Sequence, residues 1–242
     1  MAPKLAETHQ VVTFDFVGWG DSTIPPAGQV YTYDALRRDL EAVLAHFGAS
    51  QVVPVVHDAS GWPGIDWALD HPESVAALVL LNTTYHPIPG SAPPNAIRAL
   101  SALDLRPPFI EAVGTDDLMT RAVFRAQVSR FFARSSTQHV YLPLFEHVIP
   151  SARAGLFGLT ETLLENVIAR AANVPRMQVF PRPVTVAFGE EDPYLNPTVA
   201  RAFDAIFPDS RLQLVRGAGH YVQLDKPSQS RVYDAINEAR KW

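Results

Sequence analysis

Short apolar stretches alternate with amphipathic helical patterns in the first 84 residues and again after residue 182. The stretches are rich in β-branched and aromatic residues and are bounded by turn-forming residues, as strands of a buried sheet are. Strands that alternate with helices through short links form a parallel sheet with right-handed crossovers. The predicted fold class is therefore α/β. The predicted strands are Val11–Phe16, Gln51–Val56, Ala76–Leu81, Pro183–Phe188 and Arg211–Val215.

Helical patterns fill the intervals between these strands. Each has apolar residues on one helical face or a residue that commonly starts or stops a helix. Gly48 is such a stop, and Asn196 followed by Pro197 is typical of a helix start. The predicted helices cover residues 36–47, 61–71, 197–206 and 227–240.

The pattern changes between residues 85 and 182. A stretch rich in Pro and Gly, His86–Pro94, follows the third predicted strand, and only helical patterns come after it. We expect segment 85–182 to be a helical cap inserted into an α/β core made of 1–84 and 183–242. Such an insertion commonly forms a lid over a site at the carboxyl ends of the strands.

Composition excludes several classes of protein. The chain has 242 residues, of which 47% are hydrophobic and 19% are charged, as in folded globular proteins. A net charge of -5 has the wrong sign for coating nucleic acid. The longest apolar run, Val75–Leu81, is too short to cross a bilayer, and no secretory signal opens the chain. Since Cys is absent, disulfides and thiolate sites are excluded. We expect a soluble, cytoplasmic protein acting on a small molecule.

The segment from Val56 to Gly61 lies where a predicted strand ends and a helix begins. A sharp turn there, called a nucleophile elbow, exposes one side chain at the end of the strand. The turn needs little bulk two residues either side of that side chain, because strand and helix approach closely. With Asp58 exposed, the flanking residues are Val56 and Ser60; with Ser60 exposed, they include Trp62, whose indole would clash. The pattern therefore favours Asp58 over Ser60 as the nucleophile.

Two further fragments follow the ends of later strands. Asp192 lies in an acidic turn that also contains Glu190, a weaker candidate acid, and His220 follows a Gly-rich turn. Each has an ordinary structural explanation when it is taken alone, such as a helix N-cap for Asp58 or a solvated turn for Asp192. The order of nucleophile, acid and histidine is nevertheless that of α/β-hydrolases, and it favours a catalytic triad.

Three motifs resemble the α/β-hydrolase superfamily. Residues 15–22 (DFVGWGDS) are similar to its D-x-x-G-x-G-x-S turn. His57-Asp58, with aspartate in the place of serine, resembles the epoxide hydrolase and haloalkane dehalogenase branch. Residues 219–227 (GHYVQLDKP) are similar to epoxide hydrolases around their catalytic histidine. The resemblance covers about residues 10–84 and 183–240, and it implies an α/β-hydrolase fold with a cap.

The resemblance also implies a reaction. A carboxylate at Asp58 can displace an epoxide oxygen or a halide from carbon, which leaves an ester on the enzyme. His220, oriented by Asp192, would activate the water that hydrolyses this ester. The backbone amide of Ala59 would stabilise the oxyanion. We expect epoxide opening to a diol, with haloalkane hydrolysis as the alternative, and neither a metal nor an organic cofactor.

The chain departs from both branches around the substrate. Ala59 stands where haloalkane dehalogenases usually place a Trp that holds the halide. Epoxide hydrolases protonate the opening ring with tyrosines of the cap, and Tyr141 is the candidate inside the insertion. His57 and Trp62 are further candidates for substrate contacts. Two more tyrosines flank the insertion: Tyr85 and Tyr194.

The resemblance further implies strands ahead of Val11–Phe16 and a His-Gly turn that supplies an oxyanion-hole amide. Residues 1–10, which are expected to be the end of a helix, do not provide them. A missing strand would leave unpaired backbone groups beside segment 51–56. Three explanations follow: an upstream start, direct pairing of the two flanking strands, or a second chain filling the gap, as in a homodimer. A catalytically inactive relative that acts as a binding module is the alternative from another class.

Overall fold

The computed structural model of the chain describes residues 1–24, 31–114, 116–225 and 228–238. Within these residues, the sheet has the order β1-β2-β3-β4, and every pair of neighbours is parallel. The predicted α/β class with a parallel sheet is therefore confirmed. The strands are β1 (Val55–His57), β2 (Leu78–Leu81), β3 (Val184–Gly189) and β4 (Ser210–Val215).

Helices connect and cover these strands. The α-helices of the described residues are α1 (Ala2–Leu5), α2 (Tyr33–His46), α3 (Trp62–Asp70), α4 (Asn95–Ser101), α5 (Arg106–Val113), α6 (Asp117–Val128), α7 (Ser135–Glu161), α8 (Leu163–Ala169), α9 (Val174–Met177), α10 (Pro197–Asp204) and α11 (Ser228–Glu238). Short 3-10 turns cover Ala59–Gly61, Pro72–Ser74, Ser129–Phe131 and Arg170–Asn173. Between β2 and β3 the described residues form helices and no strand, as predicted for the insertion.

The core lies on both faces of β2, which is buried along its whole length. Leu78 and Leu80 pack into one cluster with residues of α2, α3 and α10, and Val79 and Leu81 pack into a second cluster with residues of α1 and α11. A strand covered by helices on both faces needs apolar residues at every position. This explains the unbroken apolar run in the sequence.

The predicted strand Val11–Phe16 is wrong. Among the described residues this segment has no ladder partner and β1 is an edge strand, so direct pairing with segment 51–56, one of the three explanations considered, is excluded there. Val11 and Phe16 still pack against the two core clusters. The Asp15 carboxylate accepts from the Asp21 backbone N–H at 3.1 Å, within the turn that follows. Val11 and Phe16 are only partly buried and Val12 is exposed, so the apolar pattern reflects partial packing against the core, which does not require a ladder partner.

The other elements lie close to their predicted positions. The strand predicted over residues 51–56 is shorter, because Pro54 has no N–H for a ladder and only a bridge from Val52 to Val75 precedes β1. Gly48 follows α2 with φ 59, and the Asn196 side chain caps α10 by accepting from Thr198 N at 2.9 Å. The predicted closing helix is α11, and residues 226, 227 and 239–242 lie outside the described residues.

None of the helices in the described ranges combines the length and the apolar character needed to span a membrane.

Candidate active site

The carboxyl end of β1 turns sharply into the 3-10 turn Ala59–Gly61 and then into α3. Asp58 occupies the corner with φ 52 and ψ -160, a conformation that residues other than glycine rarely adopt. Ser60 lies inside the 3-10 turn, and its hydroxyl donates to the carbonyl oxygen of His57 at 2.9 Å. The strained position of this strand-to-helix turn is therefore that of Asp58, and Ser60 is engaged with the backbone.

Close contact between α3 and β1 makes the corner this tight. A Cβ atom at Gly61 or at Gly64 would lie 2.7 Å from a side-chain atom of Val56, a distance that real contacts do not reach. Glycine at these two positions lets the helix axis approach the strand. The sequence pattern predicted that small residues are needed at positions 56 and 60. The tight contacts are instead at Gly61 and Gly64.

The carboxylate of Asp58 projects toward solvent and toward the imidazole of His220. Its side chain is 49% exposed, and its Oδ2 lies 3.7 Å from Nε2 of His220. The backbone of Asp58 is held on both sides, because its N–H donates to the Asn82 carbonyl oxygen at 3.1 Å and its own carbonyl accepts from the Thr83 hydroxyl at 2.8 Å. A solvent-accessible carboxylate on a fixed backbone can reach a substrate.

His220 and Asp192 form a buried pair behind this carboxylate. Nδ1 of His220 lies 2.8 Å from Oδ2 of Asp192, and each residue is 3% exposed. The other carboxylate oxygen of Asp192, Oδ1, accepts from the backbone N–H groups of Tyr194 and Leu195 at 2.8 and 3.0 Å. The His220 backbone N–H donates to the carbonyl oxygen of Phe131 at 2.8 Å, so a residue of the insertion holds the histidine loop.

The charges of these three groups depend on one another. Burial disfavours the imidazolium of His220, but the hydrogen bond to Asp192 and the negative charges of Asp192 and Asp58 outweigh it and raise the pKa of His220 to about 9. Partial desolvation of Asp58 by the atoms packed around it opposes ionisation, yet the interactions with His220 lower the pKa of Asp58 to about 2. The pKa of Asp192 is lowered despite burial, chiefly by His220. The resting site at neutral pH therefore holds two carboxylates around one imidazolium.

His57 stays neutral beside this imidazolium. Burial and the charge of His220 lower the pKa of His57 to about 4. Its Nε2 lies 2.9 Å from the carbonyl oxygen of His220, and the two rings are 4.6 Å apart. The geometry therefore ties the residue before Asp58 to the backbone of the histidine loop, and the predicted substrate contact of His57 stays a prediction.

The structure places Trp62 in the core, which contradicts its predicted role in substrate contact. Its side chain is fully buried, and its indole N–H donates to the carbonyl oxygen of Thr84. The rings of Trp62 and Tyr33 are 4.6 Å apart, and the Arg170 guanidinium lies 4.8 Å from the indole. The first residue of α3 faces inward at the point where the helix is pressed onto β1, so the indole does not reach the site.

The tyrosines considered for the leaving oxygen lie in two places. Tyr85 is fully buried, and its hydroxyl donates to the Asp66 carboxylate at 2.5 Å. Tyr141 and Tyr194 are partly buried in an aromatic cluster around Phe131. The ring of Phe131 lies 4.6 Å from that of His220. Tyr141 therefore belongs to the cluster that touches the histidine, and its contact with substrate remains a prediction.

Ala59 supplies a backbone N–H beside the nucleophile candidate. This N–H contributes to the lowered pKa of Asp58. A backbone donor next to an attacked carbonyl can stabilise the negative charge that develops on its oxygen. The expected oxyanion contact of Ala59 stays a prediction.

Sequence reasoning missed Asn82, which connects the turn that carries Asp58 to the loop after β3 that carries Asp192. Its side chain is fully buried, and its Nδ2 donates to Oδ2 of Asp192 at 2.9 Å. Its Oδ1 accepts from the backbone N–H of Gly189 at 2.8 Å. One signal was available in the sequence, since Asn82 is the polar residue that directly ends an apolar strand at the edge of the sheet where sites form.

Within residues 1–24, 31–114, 116–225 and 228–238, no group of three or more His, Asp or Glu side chains is arranged to hold a metal ion.

The chain belongs to the α/β hydrolase fold family, whose pattern it matches over residues 1–227. The α/β-hydrolase fold inferred from the motifs is thereby confirmed, and so is the hydrolase class at the level of the family. The turn that carries Asp58, the acid Asp192 and the histidine His220 follow β1, β3 and β4 of the parallel sheet in chain order, as in that fold.

Curated relatives differ in their named activities. The chain is 24% identical to bifunctional epoxide hydrolase 2 of Sus scrofa, over 94% of the chain but only 46% of that protein. It is 28% identical to a cis-3-alkyl-4-alkyloxetan-2-one decarboxylase of Xanthomonas campestris, over 92% of the chain and 77% of the relative. The chain thus spans about half the length of the pig protein, and identities at this level do not fix the reaction.

Solved structures of other proteins share this fold. The 2-hydroxy-6-oxo-6-phenylhexa-2,4-dienoate hydrolase of a Rhodococcus species matches 99% of the chain and 83% of its own, with a TM-score of 0.79 and 17% identity.

Proposed function

We propose that the chain hydrolyses an epoxide to a diol through an ester formed on Asp58. One observation carries the proposal: an aspartate at the strained corner after β1 lies within 3.7 Å of a histidine that a buried carboxylate holds at 2.8 Å. An aspartate in this position can form a covalent bond to carbon, and the histidine and its partner can hydrolyse that bond.

In the first step an Asp58 carboxylate oxygen attacks a ring carbon of the epoxide. The new C–O bond forms as the ring C–O bond breaks, and the ring oxygen leaves as an alkoxide that takes up a proton. The low pKa of Asp58 keeps this carboxylate ionised, and its 49% exposure leaves it open to the substrate. Tyr141, in the aromatic cluster beside His220, is the proposed donor of that proton.

Formation of the ester then changes the charge around His220. Esterified Asp58 is neutral, so one of the two carboxylates that raise the pKa of His220 is lost. The imidazolium then releases its proton more readily, and this proton returns through solvent to the phenolate that Tyr141 became in the first step. His220 is therefore a base only after the ester exists. This sequence of charges explains how a histidine that is protonated in the resting site can activate water in the second step.

In the second step water attacks the carbonyl carbon of the Asp58 ester while His220 takes a proton from it. Asp192 stabilises the imidazolium that forms, and the Ala59 N–H stabilises the oxyanion. Collapse of the tetrahedral intermediate breaks the bond to the product oxygen, releases the diol and restores the Asp58 carboxylate. The net change is the addition of one water to the epoxide.

Epoxides are preferred to haloalkanes because a departing halide needs N–H donors around it. Ala59 has no side-chain donor, and the indole N–H of Trp62 is bonded to Thr84 in the core. The name of the pig relative, an epoxide hydrolase, agrees with this preference. Haloalkane hydrolysis and a binding function without catalysis are the outcomes against which the proposal is tested.

Intact mass of a His220→Gln variant, incubated with a panel of epoxides and haloalkanes, tests the proposal. Loss of the base should trap the ester, and peptide mapping should place it on Asp58. An epoxide adds its whole mass, whereas a haloalkane adds only its alkyl group in place of a hydrogen. The mass increment therefore distinguishes epoxide opening from halide displacement. Asp58→Asn in the same background should abolish labelling, and Ser60→Ala should not. Folded His220→Gln protein that gains no mass would contradict the proposed reaction.

A further inference from the structure

Asn82 lies between the nucleophile candidate and its acid partner. It directly follows β2, its side chain is fully buried, and its φ of 25 lies in the left-handed region. Asparagine enters this region more readily than most other residues with a side chain. A polar side chain in a sparsely populated backbone conformation, buried at the edge of the sheet that holds the site, needs a physical reason.

Asn82 forms hydrogen bonds to the acid Asp192, to the end of β3 and to the backbone of Asp58. Its Nδ2 donates to Oδ2 of Asp192 at 2.9 Å, the same oxygen that lies 2.8 Å from Nδ1 of His220. The same amide nitrogen lies 3.4 Å from the carbonyl oxygen of Leu195. Its Oδ1 accepts from the N–H of Gly189, the last residue of β3. Its backbone carbonyl accepts from the N–H of Asp58 at 3.1 Å.

We propose that Asn82 is a positioning residue that fixes the Asp192 carboxylate and, through it, the imidazole of His220. Backbone N–H groups hold Oδ1 of Asp192, and the Asn82 amide holds Oδ2, so the carboxylate plane is set before His220 adds its bond. The bond to Gly189 fixes the end of β3, where the loop to Asp192 begins, relative to the end of β2. The catalytic consequence rests on the proposed function, whereas the effect on His220 does not.

This role predicts an uneven effect on the two steps of the reaction. Ester formation uses the Asp58 carboxylate, whose backbone bond to Asn82 involves only the main chain and survives a side-chain change. Ester hydrolysis uses the His220–Asp192 pair, which the side chain positions. Loss of the Asn82 amide should therefore slow the second step and spare the first. A purely structural role would lower stability or slow both steps together.

The informative variant is Asn82→Gly, because glycine accepts the positive φ and so removes the amide without adding backbone strain. Asn173→Ala is the matched control. The Asn173 amide donates to the Tyr85 hydroxyl at 2.7 Å and accepts from the Arg176 guanidinium at 3.4 Å, away from the acid and the histidine, so this variant also loses the bonds of a side-chain amide. Both variants are made in the full chain, and their unfolding in urea is measured first.

The first measurement needs no substrate. Imidazole ¹⁵N and proton NMR, with His220→Gln to assign the signal, should show an Nδ1 proton of His220 that exchanges slowly with water in the original chain. Asn82→Gly should accelerate that exchange at least about tenfold, because an imidazole without a fixed partner opens more often. Asn173→Ala should leave it unchanged. An unaltered signal in folded Asn82→Gly would overturn the proposal.

The second measurement follows the ester by rapid quench and intact mass with an epoxide that labels His220→Gln. In Asn82→Gly, hydrolysis of the ester should slow by about 10- to 100-fold, as expected for a misplaced catalytic group, with ester formation nearly unchanged. An equal loss in both steps would contradict a positioning role. If His220→Gln is never labelled, the proposed reaction has failed, and the NMR measurement still decides the role of Asn82.

Discussion

Nε2 of His220 lies 3.7 Å from Oδ2 of Asp58, a separation longer than an ordinary hydrogen bond but within the range of an ion pair. The histidine is therefore held by Asp192, at 2.8 Å, and not by Asp58. This leaves the Asp58 carboxylate free to turn toward a substrate while His220 keeps its orientation.

Replacing the nucleophile should remove turnover without disrupting the fold. Asparagine tolerates the φ of 52 at position 58, so we expect Asp58→Asn to fold. Its amide is too weak a nucleophile to form the ester, and the steady-state rate with an epoxide should fall by about 10⁴-fold or more.

Ser60→Ala is the matched control for that variant. The Ser60 hydroxyl donates to a backbone carbonyl inside the 3-10 turn, and its loss should change the rate only a few-fold. A rate that survives Asp58→Asn but collapses in Ser60→Ala would establish a serine mechanism instead.

The same charge interaction predicts a change in the titration of His220. Asp58 and Asp192 together raise the pKa of His220 to about 9. Asp58→Asn removes one negative charge, so the protonated imidazole loses stabilisation and the pKa of His220 should fall. Asp192→Asn should lower it as well. NMR titration of the imidazole in the three proteins measures these shifts, and a pKa that does not move in Asp58→Asn would contradict the ion pair.

Stability should follow the protonation of His220. Because its pKa is raised from 6.5 to about 9 on folding, its contribution to stability is fully present below pH 6.5 and is lost as the pH rises through 9. The free energy of unfolding in urea should therefore decline between pH 6.5 and 9. His220→Gln, which lacks the titrating group, should show a shallower decline over the same range, and equal slopes would argue against the raised pKa.

The sequence predicted the parallel sheet because buried strands leave continuous apolar runs, and β2 is the clearest example. The same signal failed at Val11–Phe16, where apolar side chains pack against the core although the backbone has no ladder among the described residues. Hydrophobic periodicity reports what a side chain touches, and strand pairing also depends on a neighbouring backbone.

The candidate site was predictable to a similar extent. Asp58, Asp192 and His220 carry reactive groups next to turns, and the structure brings them together. Trp62 was misplaced, because one turn of sequence separation does not tell which side of α3 faces the site. Asn82 was missed because its role depends on bonds to residues more than 100 positions away, and a single polar residue after a strand does not reveal them.

The corner that carries Asp58 depends on the space left by Gly64. A Cβ atom there would lie 2.7 Å from Cγ1 of Val56, so Gly64→Ala should lower the free energy of unfolding by about 1–3 kcal/mol. Val56→Ala removes the clashing methyl group, and the double variant should be more stable than the sum of the two single effects implies.

Gly61→Ala is the contrasting case. Its Cβ would meet Cβ and the backbone of Val56, and Val56→Ala leaves those atoms in place. The double variant of Gly61 should therefore show no comparable recovery in urea unfolding. Equal recovery in both pairs would mean that the strand moves as a whole, and that the tight corner is not set by these contacts.

Substitution of Tyr141 should affect the rate of the reaction, whereas substitution of Trp62 should affect the stability of the fold. Tyr141 belongs to the aromatic cluster beside His220, so Tyr141→Phe should slow epoxide opening by about 10²-fold through loss of a proton donor, with little change in stability. Trp62 is fully buried, so Trp62→Phe should instead destabilise the fold by about 1–3 kcal/mol and leave ester formation by the folded fraction intact. Rapid-quench mass measurements and urea unfolding on both variants make the comparison. If Tyr141→Phe forms the ester at the original rate, the proton comes from another group, and the remaining partly buried tyrosines of the cluster, Tyr194 and Tyr221, become the next to replace.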